Sequence, residues 1–326
     1  LDSGINSGHP LLLGKVVLEK NFSGELSAVD GLGHGTHVAG IVAGTAPDAV
    51  LFDAKVLDSG GAGNVSGVID ALNWAVDPDN DPATDDGADV VNISFGGFFR
   101  EADSPLNRAI AGVVEGGVLV VASAGNCSLQ SAANNCGGFV GVTSPARSPF
   151  VLAVGAVDNS SNHAVFSSGE LIDGVGVKPD VVAPGVEISS SFLNGSMASL
   201  SGTSMSAPFV SGIAALLLEA NPNLSPLELQ QLIEGNAIDL GVLGHDLEFG
   251  SGLVDAQKSL GSFVKPVPFA AFSSAVIKTS LNAPVNARVK LNNFSDSPII
   301  DSEVLSDSWI STSLEEHLIE PRGFVF

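Results

Sequence analysis

Four residues of this chain have the types needed to break an acyl bond together: Asp2, His34, Asn126 and Ser204. Ser204 lies in Gly202-Thr203-Ser204-Met205-Ser206-Ala207-Pro208, directly ahead of an Ala/Ile/Leu-rich run with the length and propensity of a buried helix. A hydroxyl at a helix start sits beside unpaired backbone N–H groups. These favour the negative charge that develops when a serine oxygen attacks a carbonyl. His34, flanked by Gly33 and Gly35, has room beside it for a serine and a substrate. Asp2 can orient and charge-balance an imidazole, and the Asn126 side-chain amide can donate to an oxyanion. Singly, each has a bland explanation; Asp2, for instance, precedes a Ser-Gly turn and could simply cap its own backbone. Together they supply nucleophile, base, orienting carboxylate and oxyanion donor, a full set for acyl transfer.

Other chemistry is less well supported. His34 and His37 stand three apart, but no Glu has the zincin spacing and no third ligand is near, so zinc is not expected. His37, on the helix proper, reads as a structural, hydrogen-bonded histidine. The densest acidic run starts at Asp77-Pro78-Asp79-Asn80-Asp81 and continues to Asp86. Its alternating hard oxygen ligands make Asp77, Asp79, Asp81 and Asp85 calcium candidates. No Glu occupies the bidentate EF-hand position, however, and the two prolines equally suit an ordinary helix-to-strand turn. Cys127 and Cys136 would form a disulfide in an extracellular protein, closing a small loop directly after Asn126.

The elements that position these residues follow from periodicity. Residues 50–57, 89–97, 117–126 and 150–157 read as strands running into small-residue turns, and residues 65–76 and 105–115 as helices. That alternation predicts an α/β fold with a doubly wound, mostly parallel sheet flanked by helices, whose catalytic groups gather at the strands' carboxyl ends. Ser225-Pro226-Leu227-Glu228 has the pattern of a capped helix start, and a last short helix opens near Asp255. From about residue 265 the helical periodicity stops. Residues 275–278, 285–291 and 299–304 then read as short strands of a truncated, β-sandwich-like segment. The expected domains are 1–262 and 263–326.

Composition narrows the partners. With 36 acidic against 13 basic side chains the formal charge is −23, which argues against a nucleic-acid groove or an anionic membrane surface. Charged residues make up 15% and the mean hydropathy is +0.34, so the chain has the material for a deep core. No uninterrupted apolar run approaches the ~20 residues of a membrane span. Two cysteines exclude a disulfide-rich scaffold.

The motifs resemble those of the subtilisin-like serine proteases, the subtilases or S8-type peptidases. The resemblance rests on Asp2-Ser3-Gly4, His34-Gly35-Thr36-His37-Val38-Ala39-Gly40 and Gly202-Thr203-Ser204-Met205-Ser206-Ala207-Pro208, in the family's order. Ser123-Ala124-Gly125-Asn126 and Lys178-Pro179-Asp180-Val181-Val182-Ala183-Pro184-Gly185 support it, and it covers residues 1–262. It implies a subtilisin-like fold and a serine endopeptidase. In this reading Ser204 is the nucleophile, His34 takes and returns the proton, Asp2 holds the imidazole, and Asn126 with the Ser204 N–H binds the oxyanion. It further implies that Gly61, Ala62 and Gly63 on one side, and Ser94, Phe95 and Gly96 on the other, pair with the substrate backbone. Ser123, Ala124 and Gly125 would line the S1 pocket, with Thr143 at its floor. None of these segments carries a charge, so broad specificity with an apolar P1 side chain is expected.

The resemblance implies no cofactor for the chemistry, structural calcium, protein or peptide substrates, a propeptide in the precursor and an extracellular or cell-surface setting. Two departures stand out. The high-affinity calcium site of relatives is not expected, because Leu11 follows His9-Pro10 and residues 43–47 leave no room for its loop. In relatives a central parallel strand precedes the aspartate, so the peptidase domain is expected to lack its first strand and the chain to be part of a longer product. The alternative is a catalytically inactive subtilase-fold module with a binding or structural role; the intact Asp2, His34, Asn126 and Ser204 count against it.

Overall fold

The computed structural model describes residues 1–81, 83–84, 86–98, 104–131 and 136–262, together with 270–272, 291–293 and 324–325. Two compact units divide the chain, Leu1–Leu260 and Gly261–Phe326. In the first, β1 (Val16–Asn21) and β2 (Leu51–Lys55) pair in parallel. A four-stranded parallel sheet runs in the order β3 (Val90–Ile93), β4 (Leu119–Ser123), β5 (Leu152–Val157), β8 (Val181–Pro184). Every residue of β4 and β5 is buried, as expected of uninterrupted apolar strands covered on both faces.

Leu1 and Asp2 sit between β2 and β3. The Asp2 N–H donates to Ala54 O at 3.2 Å, and Val56 N–H donates to Asp2 O at 2.8 Å. The Leu1 ammonium donates to Asn92 O at 3.0 Å. A cavity of about 610 Å³ lies beside these two residues, lined by strand residues such as Phe52 and Val91 and by Val38, Trp74 and Ala215.

Helices cover the sheet: α1 (His34–Thr45), α2 (Val65–Val76), α3 (Pro105–Glu115), α4 (Thr203–Ala220), α5 (Pro226–Gly235) and α6 (Ala256–Gly261). Leu72, Trp74, Ile110 and Val113 of α2 and α3 join Val91, Ile93, Val120 and Ala122 in the largest core. On α4, Ala, Leu and Met supply helix propensity, and the helix packs along α1 and along β3, β4, β5 and β8. Its 18 residues and mean hydropathy of 1.3 would suffice by composition to cross a membrane. Here it is a core helix, with Ala207, Val210, Ala214 and Leu217 fully enclosed. The predicted cap on α5 is made, Ser225 with Glu228 forming a reciprocal capping box, and at the start of α3 Ser104 Oγ accepts from Asn107 N–H.

Two antiparallel hairpins lie between residues 170 and 200, where the sequence pattern names no strand. They are β6 (Glu170–Ile172) with β7 (Gly176–Lys178), and β9 (Ile188–Ser191) with β10 (Met197–Leu200). Ser190 and Ser191 of β9 donate their hydroxyls to the carbonyls of His37 and Thr36, each at 2.8 Å. Their small side chains fit the space left by Gly40 of α1, as Thr45 fits the space left by Gly212 of α4.

In the second unit, β11 (Ala270–Phe272), β12 (Leu291–Asn293) and β13 (Phe324–Val325) form a small antiparallel sheet. The strands expected at 275–278 and 299–304 lie outside the described residues, as does most of the one expected at 285–291.

One buried acid makes a pH-dependent contribution to stability. Asp53 of β2 is 2% exposed and its Oδ2 accepts the Ile5 N–H at 2.7 Å. Burial pushes its carboxyl up to about 7, against the pull of the Ile5 N–H and the N-terminal ammonium. Between its ordinary value of 3.8 and about 7 the folded chain therefore holds a proton that the unfolded chain has released. The contribution is full below 3.8 and is lost as pH rises through about 7. Asp53→Asn removes this dependence. In urea melts, the stability of the variant relative to wild type should rise by on the order of 3 kcal/mol between pH 4 and pH 8.

Candidate active site

Helix α1 begins at His34, whose Nδ1 lies 2.7 Å from Asp2 Oδ1. A carboxylate oxygen only accepts, so Nδ1 carries the proton and Nε2 is left as an acceptor. Asp2 Oδ1 also accepts the Ser3 N–H at 2.7 Å. Burial works against charge on both side chains, yet their mutual attraction wins. Asp2 is held below its usual range by the His34 charge, the bond to His34, the Ser3 N–H and the N-terminal ammonium. His34 is raised above its usual value by the Asp2 charge, the hydrogen bond to Asp2 and the more distant Asp30 charge.

Asp30 is a hub that sequence reasoning missed. Its Oδ1 accepts from Ser3 Oγ at 2.9 Å, Leu32 N–H at 3.0 Å and Gly33 N–H at 2.8 Å. Its Oδ2 accepts from Thr36 N–H at 2.9 Å and Thr36 Oγ1 at 2.6 Å. Ser3 Oγ in turn accepts from Gly35 N–H at 2.9 Å. One buried carboxylate thus satisfies the orphan N–H groups around the start of α1 and fastens that start to the Asp2-Ser3 turn. The available signal was an aspartate four residues ahead of His34 in a glycine-rich run, which alone also describes an ordinary turn.

Ser204 stands in the first turn of α4, half-buried, while its neighbour Met205 packs with Val38 and Ile41 of α1. That packing brings the N-terminal turns of the two helices together. Asn126 follows β4 and is tied to the same place: its Oδ1 accepts from Thr203 N–H at 3.0 Å and Thr203 Oγ1 at 3.1 Å. Thr203 Oγ1 also accepts the Gly125 N–H at 3.1 Å. With its oxygen held, the amide turns Nδ2 toward Gly202. A Cβ on Gly202 would lie 3.2 Å from Asn126 Nδ2 and 3.7 Å from Ser204 N, so a glycine is needed to keep the space beside both donors open. Thr203 is the second residue sequence reasoning missed; a hydroxyl one position before a serine at a helix start carries no distinctive signal of its own.

The residues assigned to substrate contact fall on three segments. Gly61, Ala62 and Gly63 are exposed in a turn closed by Asp58 N–H to Ala62 O at 2.7 Å and a Leu57–Gly63 bridge. Ser94 is buried, Phe95 half-buried and Gly96 exposed beyond β3. Ser123 and Ala124 are buried at the end of β4, and Gly125 is half-buried. Thr143 is wedged between the last two segments, its hydroxyl against both Gly96 and Gly125 and its N–H on Ala124 O at 2.9 Å. Cys127 and Cys136 are joined by a disulfide that closes the loop after Asn126.

His37 is fully buried, its Nε2 3.0 Å from Ile188 O and 3.1 Å from Ala198 O. Burial lowers its pKa, so it is a neutral donor to the β9–β10 hairpin. In the acidic run the grouping differs from the one expected. Asp77, Asp79 and Asp86 each bring a ligand oxygen within 4.8 Å of the others. Asp79 Oδ1 accepts the Asp81 N–H at 2.8 Å and Thr84 Oγ1 at 3.1 Å, which curls the turn. Asp81 instead accepts the Ala83 N–H at 3.1 Å, and Asp85 lies outside the described residues.

This geometry has counterparts among known proteins. The Subtilase family pattern matches residues 1–252. Subtilisin DY of Bacillus licheniformis is 38% identical over 267 residues, covering 79% of this chain and 88% of that protein. Subtilisin E of Bacillus subtilis (strain 168) is 35% identical over 274 residues, covering 79% of this chain and 63% of that protein. Subtilisin Savinase of Lederbergia lenta is 37% identical over 243 residues, covering 72% and 80%. A family match over most of the length, together with relatives above 30% identity, establishes that the chain belongs to the subtilase family of serine endopeptidases.

Proposed function

We propose that the chain hydrolyses peptide bonds through an acyl-enzyme, with Ser204, His34 and Asp2 as its triad. The observations that carry this reading are the Asp2–His34 pair at the head of α1 and the Asn126 and Ser204 N–H donors around Gly202 at the head of α4, which packs against α1. Ser204 Oγ attacks the scissile carbonyl while His34 Nε2 takes its proton. Asp2 holds the Nδ1–H and stabilises the imidazolium, and the oxyanion receives hydrogen bonds from Asn126 Nδ2 and the Ser204 N–H. His34 then returns the proton to the leaving amine, and water repeats the sequence on the ester. Thr143 between Gly96 and Gly125 gives an uncharged S1 pocket, so apolar P1 side chains are preferred across many protein and peptide substrates. Membership of the subtilase family supports a propeptide in the precursor, and an extracellular or cell-surface setting fits the acidic composition and the Cys127–Cys136 bridge. Peptide-library cleavage with and without a serine-directed inhibitor tests the reading, and cleavage surviving Ser204→Ala overturns it. A fluorophosphonate probe should label wild type and spare His34→Ala. A folded wild-type chain that neither cleaves nor is labelled supports the inactive binding module instead.

No cofactor enters the chemistry. Asp77, Asp79 and Asp86 would hold a structural calcium ion: the donors are hard oxygens, and Asp77 Oδ1 is buried without a hydrogen-bond partner. Desolvation and the Asp79 and Asp77 charges raise the Asp86 pKa, a repulsion that a divalent cation would relieve. Calcium at ten times its dissociation constant should raise Tm by about 3–5 °C. Calorimetry with and without chelator checks this, and Asp79→Asn should lose most of the gain.

A further inference from the structure

Lys55, the last residue of β2, is fully buried, a charged side chain that the chemistry above does not use. Its ammonium donates to Ser3 O at 2.7 Å and Leu57 O at 2.9 Å and pairs with Glu25 Oε2 at 3.1 Å, so each of its three protons has a partner. An apolar side chain would fill the strand position without the desolvation cost of an enclosed cation, so stability alone does not account for a lysine here. Its partners do. Ser3 is the residue whose N–H holds Asp2 Oδ1 and whose hydroxyl is fastened to Asp30. Leu57 starts the turn that carries Gly61, Ala62 and Gly63. Glu25 reaches into that turn from the other side: its Oε1 accepts Ser59 N–H at 3.0 Å and Ser59 Oγ at 2.7 Å. These bonds and the Lys55 contact hold the Glu25 carboxyl down at about 2.

We propose that Lys55 and Glu25 are a positioning pair joining the substrate-edge turn to the Asp2–His34 pair, so that binding of the residues upstream of the scissile bond is expressed in kcat as well as KM. The inference rests on the serine endopeptidase reading. Its test compares kcat and KM on a single-residue ester and on a tetrapeptide amide ending in the same residue, with a thermal melt of each variant. Lys55→Met should lower kcat on the tetrapeptide ~10–100-fold, a misalignment effect, and on the ester by only a few-fold. Glu25→Gln and Ser59→Ala should move the tetrapeptide-to-ester kcat ratio the same way, by ~3–10-fold. A ratio within twofold of wild type in all three variants, whatever their melting temperatures, overturns the proposal. If Lys55→Met does not fold, the other two variants decide by the same criterion. A wild type whose hydrolysis Ser204→Ala leaves intact overturns the protease reading itself, and the inference with it.

Discussion

Ser204→Ala lowers kcat by about 10⁶, and adding His34→Ala to it costs almost nothing more. The magnitude is the one established for subtilisin, a relative in which the same roles have been dissected by substitution. The non-additivity follows from geometry. His34 Nε2 acts only by accepting a proton from the nucleophile, so without the Ser204 hydroxyl it has nothing to accept. What remains in both variants is binding plus the Asn126 and Ser204 N–H donors, which neither substitution touches. Steady-state kinetics on one peptide amide check this, with circular dichroism as a fold control. Single and double variants that differ by more than about tenfold would refute the assigned roles.

Asp2→Asn has the next largest effect, about 10⁴ in kcat, and it also changes the pH profile. The carboxylate accepts from His34 Nδ1 and the Ser3 N–H through one oxygen, while Oδ2 is enclosed without a partner. An asparagine presents an N–H₂ as well as an oxygen, which favours the wrong imidazole tautomer. The direction of the pH shift follows from what the imidazole loses and what it keeps. In the wild type, kcat/KM should fall as pH drops through the raised pKa of His34, where the proposed base becomes protonated. The variant loses the Asp2 charge and keeps the burial that disfavours the imidazolium. The midpoint of its residual activity therefore moves to lower pH. A pH–rate profile measured in both proteins gives the comparison, and a midpoint that stays in place or rises counts against Asp2 as the orienting carboxylate.

How much of this was legible beforehand depended on the kind of signal each residue sends. The helices at Val65–Val76 and Pro105–Glu115 announce themselves through apolar periodicity and, for the second, a Ser-Pro start. Strands β4 and β5 show as short, unbroken apolar runs. Hairpin β9–β10 does not: Ile188–Ser191 is mostly serine, and its hydroxyls bond to carbonyls of α1, a tertiary match with no period in the sequence. The proposed nucleophile, base and amide each carry a distinctive sequence neighbourhood, so they could be nominated. The residues that aim them, Ser3, Asp30 and Thr203, are small polar groups in turns, and their roles exist only once residues 27 to 77 positions apart meet. The acidic run shows the same limit at shorter range. Alternation picked out Asp81, but the curl of the turn brings Asp86 beside Asp77 and Asp79 instead. Lys55 did leave a trace, a lone cation inside a strand that is apolar but for Asp53.

The approach of α1 to its neighbours is set by missing side chains, Gly40 against the β9 serines and Gly212 against Thr45. Contacts made through long, flexible residues can re-pack when a structure is heated or strained, whereas backbone held this close has no such slack. His34 at the head of α1 and Ser204 at the head of α4 should therefore move as one stiff body, with thermal fluctuation expected at the exposed turn Gly61–Gly63 and around Gly96. Warming should loosen the grip on substrate well before the body melts as a whole, so KM climbs early and kcat on extended substrates falls with it, while kcat on a single-residue ester holds.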